Sequence, residues 1–194
     1  MKVLLLTTHL NTGGITSYLL TLCAGLRKRQ HEVWVVSSGG NTEDQFKLLG
    51  VNVVNLPFKT KSELSWRIYA ALKPVATLIR ENHIDVIHAH TRITQVMAAF
   101  LSNVTRRPFV TTCHGFFKPR FFRRVFPCWG RRAIAISQAV NDHLVRDFKI
   151  PQARVNLVAS GVDTNNFHAV TADEKYRLRQ KYNLKDEPVA GIIA

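Results

Sequence analysis

Apolar residues fall along the chain in short runs rich in β-branched side chains, at residues 3–7, 33–37, 51–56, 85–89, 109–112, 133–136 and 155–159. Runs of this length and composition predict strands. Between them the spacing becomes helical, as at Tyr18, Leu19, Leu22 and Leu26, or at Leu64, Ile68, Ala71 and Leu72. Strands apolar on both sides are covered twice and joined by crossovers. The alternation therefore predicts an α/β domain with a parallel sheet and helices on both faces. Pro74 lies inside the helical pattern of residues 63–82, where its missing N–H predicts a kink or split near Lys73. Residues 171–184 read as a polar helix and residues 188–194 as an apolar strand, which needs neighbours in the main sheet or in a second domain.

Charge changes this picture more than length does. The 194 residues carry 27 Lys and Arg against 13 Asp and Glu, a net charge of +14 with neutral histidines, and 46% are hydrophobic. The apolar share excludes disorder throughout, and the basic excess points to an anionic partner: nucleotide, nucleic acid or membrane. Cys23, Cys113 and Cys128 are too few and scattered for a disulfide framework or a cysteine-rich zinc site, which fits a reducing compartment. The first apolar run is four residues long, short of a signal-peptide core or a membrane span. The expectation is a soluble, cytoplasmic protein in which the sequon Asn103-Val104-Thr105 is a chance match.

Ligands of open parallel sheets sit beyond the carboxyl ends of the strands. There the chain places His9, Asn11, Thr12, Gly13 and Gly14, then residues 37–40, His90 to Arg92, Cys113 to Gly115, Ser137, and Ser160 to Gly161. Two glycines before a helix let a backbone approach an anion on the helix N-terminus, or else serve a turn of positive φ. No G-x-G-x-x-G, Walker loop or nucleophile elbow is present, and no acid ends the second run, which disfavours dinucleotide binding of that type.

Gly13-Gly14 before a helix, Asp85 to His90, Cys113-His114-Gly115, Ile136-Ser137 before a helix, and Gly161-Val162-Asp163 with Phe167 together resemble glycosyltransferase family four. Each motif is weak alone; their order covers almost the whole chain. The resemblance implies the GT-B architecture, two Rossmann-like domains facing across a cleft, with the acceptor mainly on the first and the nucleotide sugar mainly on the second. It also implies retention of anomeric configuration, no required metal and no cofactor beyond the donor substrate. On this reading residues 1–170 form the acceptor-side domain, 171–187 a linker helix, and 188–194 the first strand of the donor domain. The diphosphate-binding residues would lie in that second domain, so this stretch alone is expected to be inactive. Ser160 stands where the family often has Asn, which puts any role of that amide in doubt.

The matching family histidine lies near the transferred sugar, which makes His114 the candidate catalytic residue. Thr12, Gly13, Gly14, His90, Ser137 and Gly161 are candidate substrate contacts, although a serine before a helix is first an N-cap and a glycine first a turn. His88 and His90 alternate onto one strand face without a third metal ligand at recognisable spacing. One of them is expected in the core and the other near the acceptor. No acid lies between Asp85 and Asp142, so no catalytic base can be named there. Residues 116–132 interleave aromatics with cations. On a helix beginning at Pro119, Phe121, Phe122, Val125 and Phe126 would share one side and Arg120, Arg123 and Arg124 the other, either lying in an anionic membrane interface or packing on the sheet. Partners are then a nucleotide sugar, a glycan or lipid-linked acceptor and an anionic membrane at the inner face. A nucleic-acid-binding module and a sugar-nucleotide epimerase of the same architecture are the competing readings.

Overall fold

A computed structural model of the chain describes every residue except 61, 64, 165, 166, 168, 186 and 191–194, and the backbone alone of Phe122. It divides into two compact units, Met1–Gly161 and a smaller one from Val162 onward. In the first, β1 (Lys2–Leu6), β2 (Glu32–Ser37), β3 (Asn52–Asn55), β4 (Val86–Ala89), β5 (Phe109–Cys113), β6 (Arg132–Ala135) and β7 (Val155–Leu157) form one sheet in the order β3-β2-β1-β4-β5-β6-β7. Every pairing is parallel. The Rossmann-like α/β fold expected from the alternation is present, with each strand shifted by at most a residue or two from its apolar run.

Alternate side chains of β1 and β2 serve opposite faces. Leu4, Leu6, Trp34 and Val36 pack under α3 (Trp66–Glu81) and α4 (Arg92–Thr105), which contribute Ile68, Val75, Ile79, Met97 and Leu101. Val3, Leu5, Val33 and Val35 pack under α1 (Gly14–Lys28) and α2 (Glu43–Leu48) through Leu19, Cys23 and Phe46. A third cluster joins Ala133 and Ala135 to Val140 and Leu144 of α6 (Gln138–Arg146) and to Trp129. The three cysteines are free and buried.

Pro74 neither splits nor ends its helix, which runs through it from Trp66 to Glu81. Pro74 and Ala70, whose carbonyl lacks the usual N–H partner, are both exposed. The freed carbonyl is thus on the solvent side, while Ile68, Ala71, Val75 and Ile79 anchor the opposite side in the core. Leu64, assigned to the start of this helix by its spacing, lies outside the described residues.

In the second unit, α7 (Ala172–Lys181) covers most of the expected polar helix, opened by a capping box between Thr171 and Glu174. None of its residues is buried. Pro188, Val189 and Ala190 have no regular structure and are exposed; the rest of the strand expected at residues 188–194 lies outside the described residues.

Candidate active site at the carboxyl edge of the sheet

Because all strands run one way, the residues following β1, β4, β5, β6 and β7 share one edge. The register places His88 beside Leu5 on one side and Val110 on the other. Side chains two apart point the same way. His88, His90, Thr112 and His114 therefore project on the α1 side, where they meet in two contacts of equal offset. His88 Nε2 lies 2.8 Å from Thr112 Oγ1, and His90 Nδ1 lies 3.2 Å from His114 Nε2. The His88 and His90 ring centroids are 4.1 Å apart. Tyr18 of α1 meets His114 edge-on at 4.8 Å and lies 5.8 Å from His90.

Burial lowers the pKa of His88 to about 3, aided by His114. It pushes His90 well below its ordinary value, with His88 and His114 adding to the effect. The same desolvation takes His114 to about 4. All three rings are thus neutral near pH 7. One of His88 and His90 was expected in the core; both are buried there, at 7% and 1% exposure. The fold closes over His90 through Tyr18 and through its own N–H, which donates to the Leu6 carbonyl at 3.0 Å. Among the described residues no three His, Cys, Asp or Glu side chains are grouped to hold a metal ion.

Gly13 precedes α1 in extended backbone, φ 162°. A Cβ on Gly13 would have no neighbour nearer than 4.0 Å and one on Gly14 none within that distance, so neither glycine serves a strained turn or a crowded contact. The crowded glycine is Gly40 in the loop between β2 and α2, whose Cβ would fall 2.1 Å from the Leu10 carbonyl carbon of the β1–α1 loop. No side chain caps α1, and its first turn carries no acid. Its leading amides therefore suit an anion. Tyr18 stands one turn from Gly14, about 6 Å along the axis, which ties those amides to the neighbourhood of His114. Thr12 is exposed, its N–H donating to Asn41 Oδ1 at 2.9 Å. Ser137 caps α6 by accepting from the Val140 N–H at 3.3 Å. Gly161 is exposed at the end of the first unit. Neither bonds to the histidine cluster.

Residues 116–132 do not form the helix expected from Pro119. Only Phe121–Val125 is helical, α5. Pro119 and Pro127 bracket it, and Arg120, Arg123 and Arg124 at helical spacing repel one another. The aromatics divide. Phe117 and Trp129 join Phe148 in the core, whereas Phe116, Phe121, Val125 and Phe126 are exposed. The cations divide too, because Arg123 does not share the outward side of Arg120 and Arg124. It is 18% exposed, donates to Glu63 Oε1 at 3.3 Å and lies 5.1 Å over the Phe117 ring. Arg92, 7% exposed, donates to Glu63 Oε2 at 2.9 Å and to the Phe126 and Pro127 carbonyls at 2.8 Å each. Burial alone would raise the Glu63 pKa, but these two guanidiniums outweigh it and hold the carboxyl below its ordinary value. His143 Nε2 fixes the start of the segment, 3.1 Å from the Phe117 backbone. Sequence reasoning placed Arg92 at this edge without a role and missed Tyr18, Glu63 and His143 as parts of it.

Residues 12–166 match the sequence profile of Glycosyltransferase Family 4. The chain belongs to this family. A relative described as an uncharacterised glycosyltransferase of Methanocaldococcus jannaschii is 22% identical over 90% of the chain and 49% of its own length. Among solved structures, a glycosyltransferase from Rickettsia africae superposes with a TM-score of 0.78 at 18% identity, covering 95% of this chain and 50% of that one. Anabaena HepE, crystallised with UDP and glucose, gives 0.71 at 20% identity, covering 94% and 50%. The family chain described here thus spans about half the length of the relatives it matches. It has the fold of a GT-B N-terminal domain, and among its described residues no helix is long and apolar enough to cross a membrane.

Proposed function

We propose that this chain forms the acceptor-side domain of a retaining glycosyltransferase that moves a sugar from a nucleotide-sugar donor to a glycan or lipid-linked acceptor. The observation that carries this reading is the half-buried His114, held at the carboxyl edge beside the uncapped, glycine-led start of α1. The complex of HepE with UDP and glucose supports a nucleotide sugar as donor. No acid lies between Asp85 and Asp142, so β4, β5 and β6 supply no carboxylate as nucleophile or base and act here through hydrogen bonds and dipoles. In this reading His114 hydrogen-bonds the transferred sugar, Thr12, Gly13 and Gly14 line its approach, and Ser137 and Gly161 border the cleft. Residues 171–187 link to a donor domain opened by residues 188–194, and no metal is required. The acceptor sits at the cytoplasmic face of an anionic membrane, met by Phe121 with Arg120 and Arg124; the side chain of Phe122, the other expected aromatic contact, lies outside the described residues.

Replacing His114→Ala in an enzyme that holds both domains should lower turnover about tenfold or more, roughly 1.4 kcal/mol of transition-state stabilisation. Circular dichroism should not change. Wild-type turnover in the folded variant would remove His114 from the reaction.

A further inference from the structure

His114 offers one ring nitrogen to the protein and keeps the other open. Nε2 is taken by His90 Nδ1 at 3.2 Å, and Tyr18 packs edge-on against the ring. Nδ1 has no partner among the described residues and is not among the buried, unpartnered polar atoms, so it faces solvent. His90 is itself 1% exposed, with its backbone tied to β1 and its ring against His88. Its remaining nitrogen, Nε2, is buried with no partner among the described residues.

Two neutral imidazoles joined by one hydrogen bond have two arrangements. If His114 Nε2–H donates, the proton of His90 must sit on Nε2, leaving an N–H dipole buried with nothing to accept it. If His90 Nδ1–H donates, the orphan is only a bare ring nitrogen. Buried N–H groups without acceptors are the rarer and costlier case. We infer that His90 is a positioning residue: it donates from Nδ1 to His114 Nε2 and thereby fixes His114 in the tautomer that carries its proton on Nδ1, aimed at the cleft.

Resting on the reading that His114 faces the sugar, this makes His114 a fixed hydrogen-bond donor toward an acceptor oxygen of the substrate, such as a hydroxyl. It is not a proton acceptor there. A second proton on Nε2 would set two N–H groups against each other, so His114 also resists becoming a cation. Burial acts in the same direction on both rings. One further contact fits a positioning role. His88 Nε2 is bonded to Thr112, and the shared 24-residue offset makes the second contact a repeat of the first, set by strand register.

The test is long-range proton–nitrogen NMR of the chain labelled on histidine nitrogen, at neutral pH without substrate. The expected spectrum shows His114 in a single state with its proton on Nδ1. A proton on Nε2, or rapid averaging between tautomers, would overturn the proposal, and this reading needs no variant. In His90→Leu, the second arm, His114 should lose the single state and titrate at higher pH while backbone amide shifts far from the edge stay in place. An unchanged His114 signal there would also overturn it. The NMR readout stands apart from catalysis. An Nδ1–H state combined with unaltered turnover in His114→Ala would defeat the proposed function and leave the role of His90 standing.

Discussion

β5 separates two ways of holding polar groups at one sheet edge. On its β4 side, His88, His90 and His114 lie side by side between strands, neutral, with no opposite charge acting on them among the described residues. Beyond Gly115 the chain is charged and half open, and a single acid from another loop, Glu63, gathers Arg92 and Arg123. Nine Lys and Arg fall between residues 86 and 141 with no Asp or Glu among them. The difference is one of mechanism. The histidine side is built by strand register and desolvation, for which local alternation gives the facing side of each strand; the basic side is built by two long-range ion pairs of one acid, which nothing local dictates.

Acid should separate the two sides, and this is the largest effect expected. Histidines held below their ordinary pKa take up protons on unfolding, so their stabilisation is complete above about pH 6.5 and is lost as pH falls toward the folded values. For His114 that window closes at about 4. Each such histidine contributes a slope of up to about 1.4 kcal/mol per pH unit. Glu63 behaves in the opposite chemical sense but on the same side: its lowered carboxyl contributes above its unfolded pKa near 4.5 and loses that contribution only as pH falls below it. Urea unfolding between pH 7 and 5 should therefore show falling stability caused by the histidine side alone. Flat stability over that interval would mean the rings are not held neutral.

Glu63→Gln should have the next largest effect. It removes the negative charge that faces buried Arg92 and Arg123, leaving both guanidiniums without a counter-ion among the described residues. Breaking a buried pair from one end costs about 3 to 5 kcal/mol, and the one-quarter exposure of Glu63 reduces that toward about 2 to 3 by solvent screening. The loss should appear at pH 7, where the histidine contribution is unaltered, and proteolysis should first cut residues 116–127. A variant as stable as the parent would show that the segment is held by Phe117, Trp129 and His143 without the acid.

Much of the fold was legible because burial on both faces leaves a local trace. Val3, Leu5, Leu4 and Leu6 announce a doubly covered strand by their apolarity alone. The glycines were legible by type but not by role, since Gly13 and Gly14 turned out to be uncrowded and Gly40 to be the close approach. Pro74 does not split its helix because helix-breaking depends on which side the proline faces, and that is a property of packing. His114 was found by resemblance, whereas its partners could be found only once β4 and β5 were adjacent. Arg123 was misplaced for the same reason: helical spacing put it with Arg120 and Arg124, and a carboxylate sixty residues earlier in sequence turned it inward.

That misplacement supplies the finest test of the comparison. If the outward residues of the basic side meet an anionic membrane, Arg120 and Arg124 should act on binding and Arg123 on stability. Each cation near such a surface adds about 1 kcal/mol, so the double variant Arg120→Ser with Arg124→Ser should lose roughly 2 kcal/mol of vesicle affinity, measured by sedimentation with anionic lipid. Its thermal unfolding should be unchanged, because both side chains are exposed and neither takes part in an ion pair among the described residues. Arg123→Ser should reverse the pattern, lowering stability and leaving vesicle binding intact. Added salt should weaken binding of the parent, since exposed charges are screened over about 8 Å at physiological ionic strength, while the Glu63 contacts, being partly buried, should respond less. Equal vesicle loss in all three positions would mean that the segment meets lipid as one face, and binding to neutral vesicles as tight as to anionic ones would remove charge from the interaction altogether.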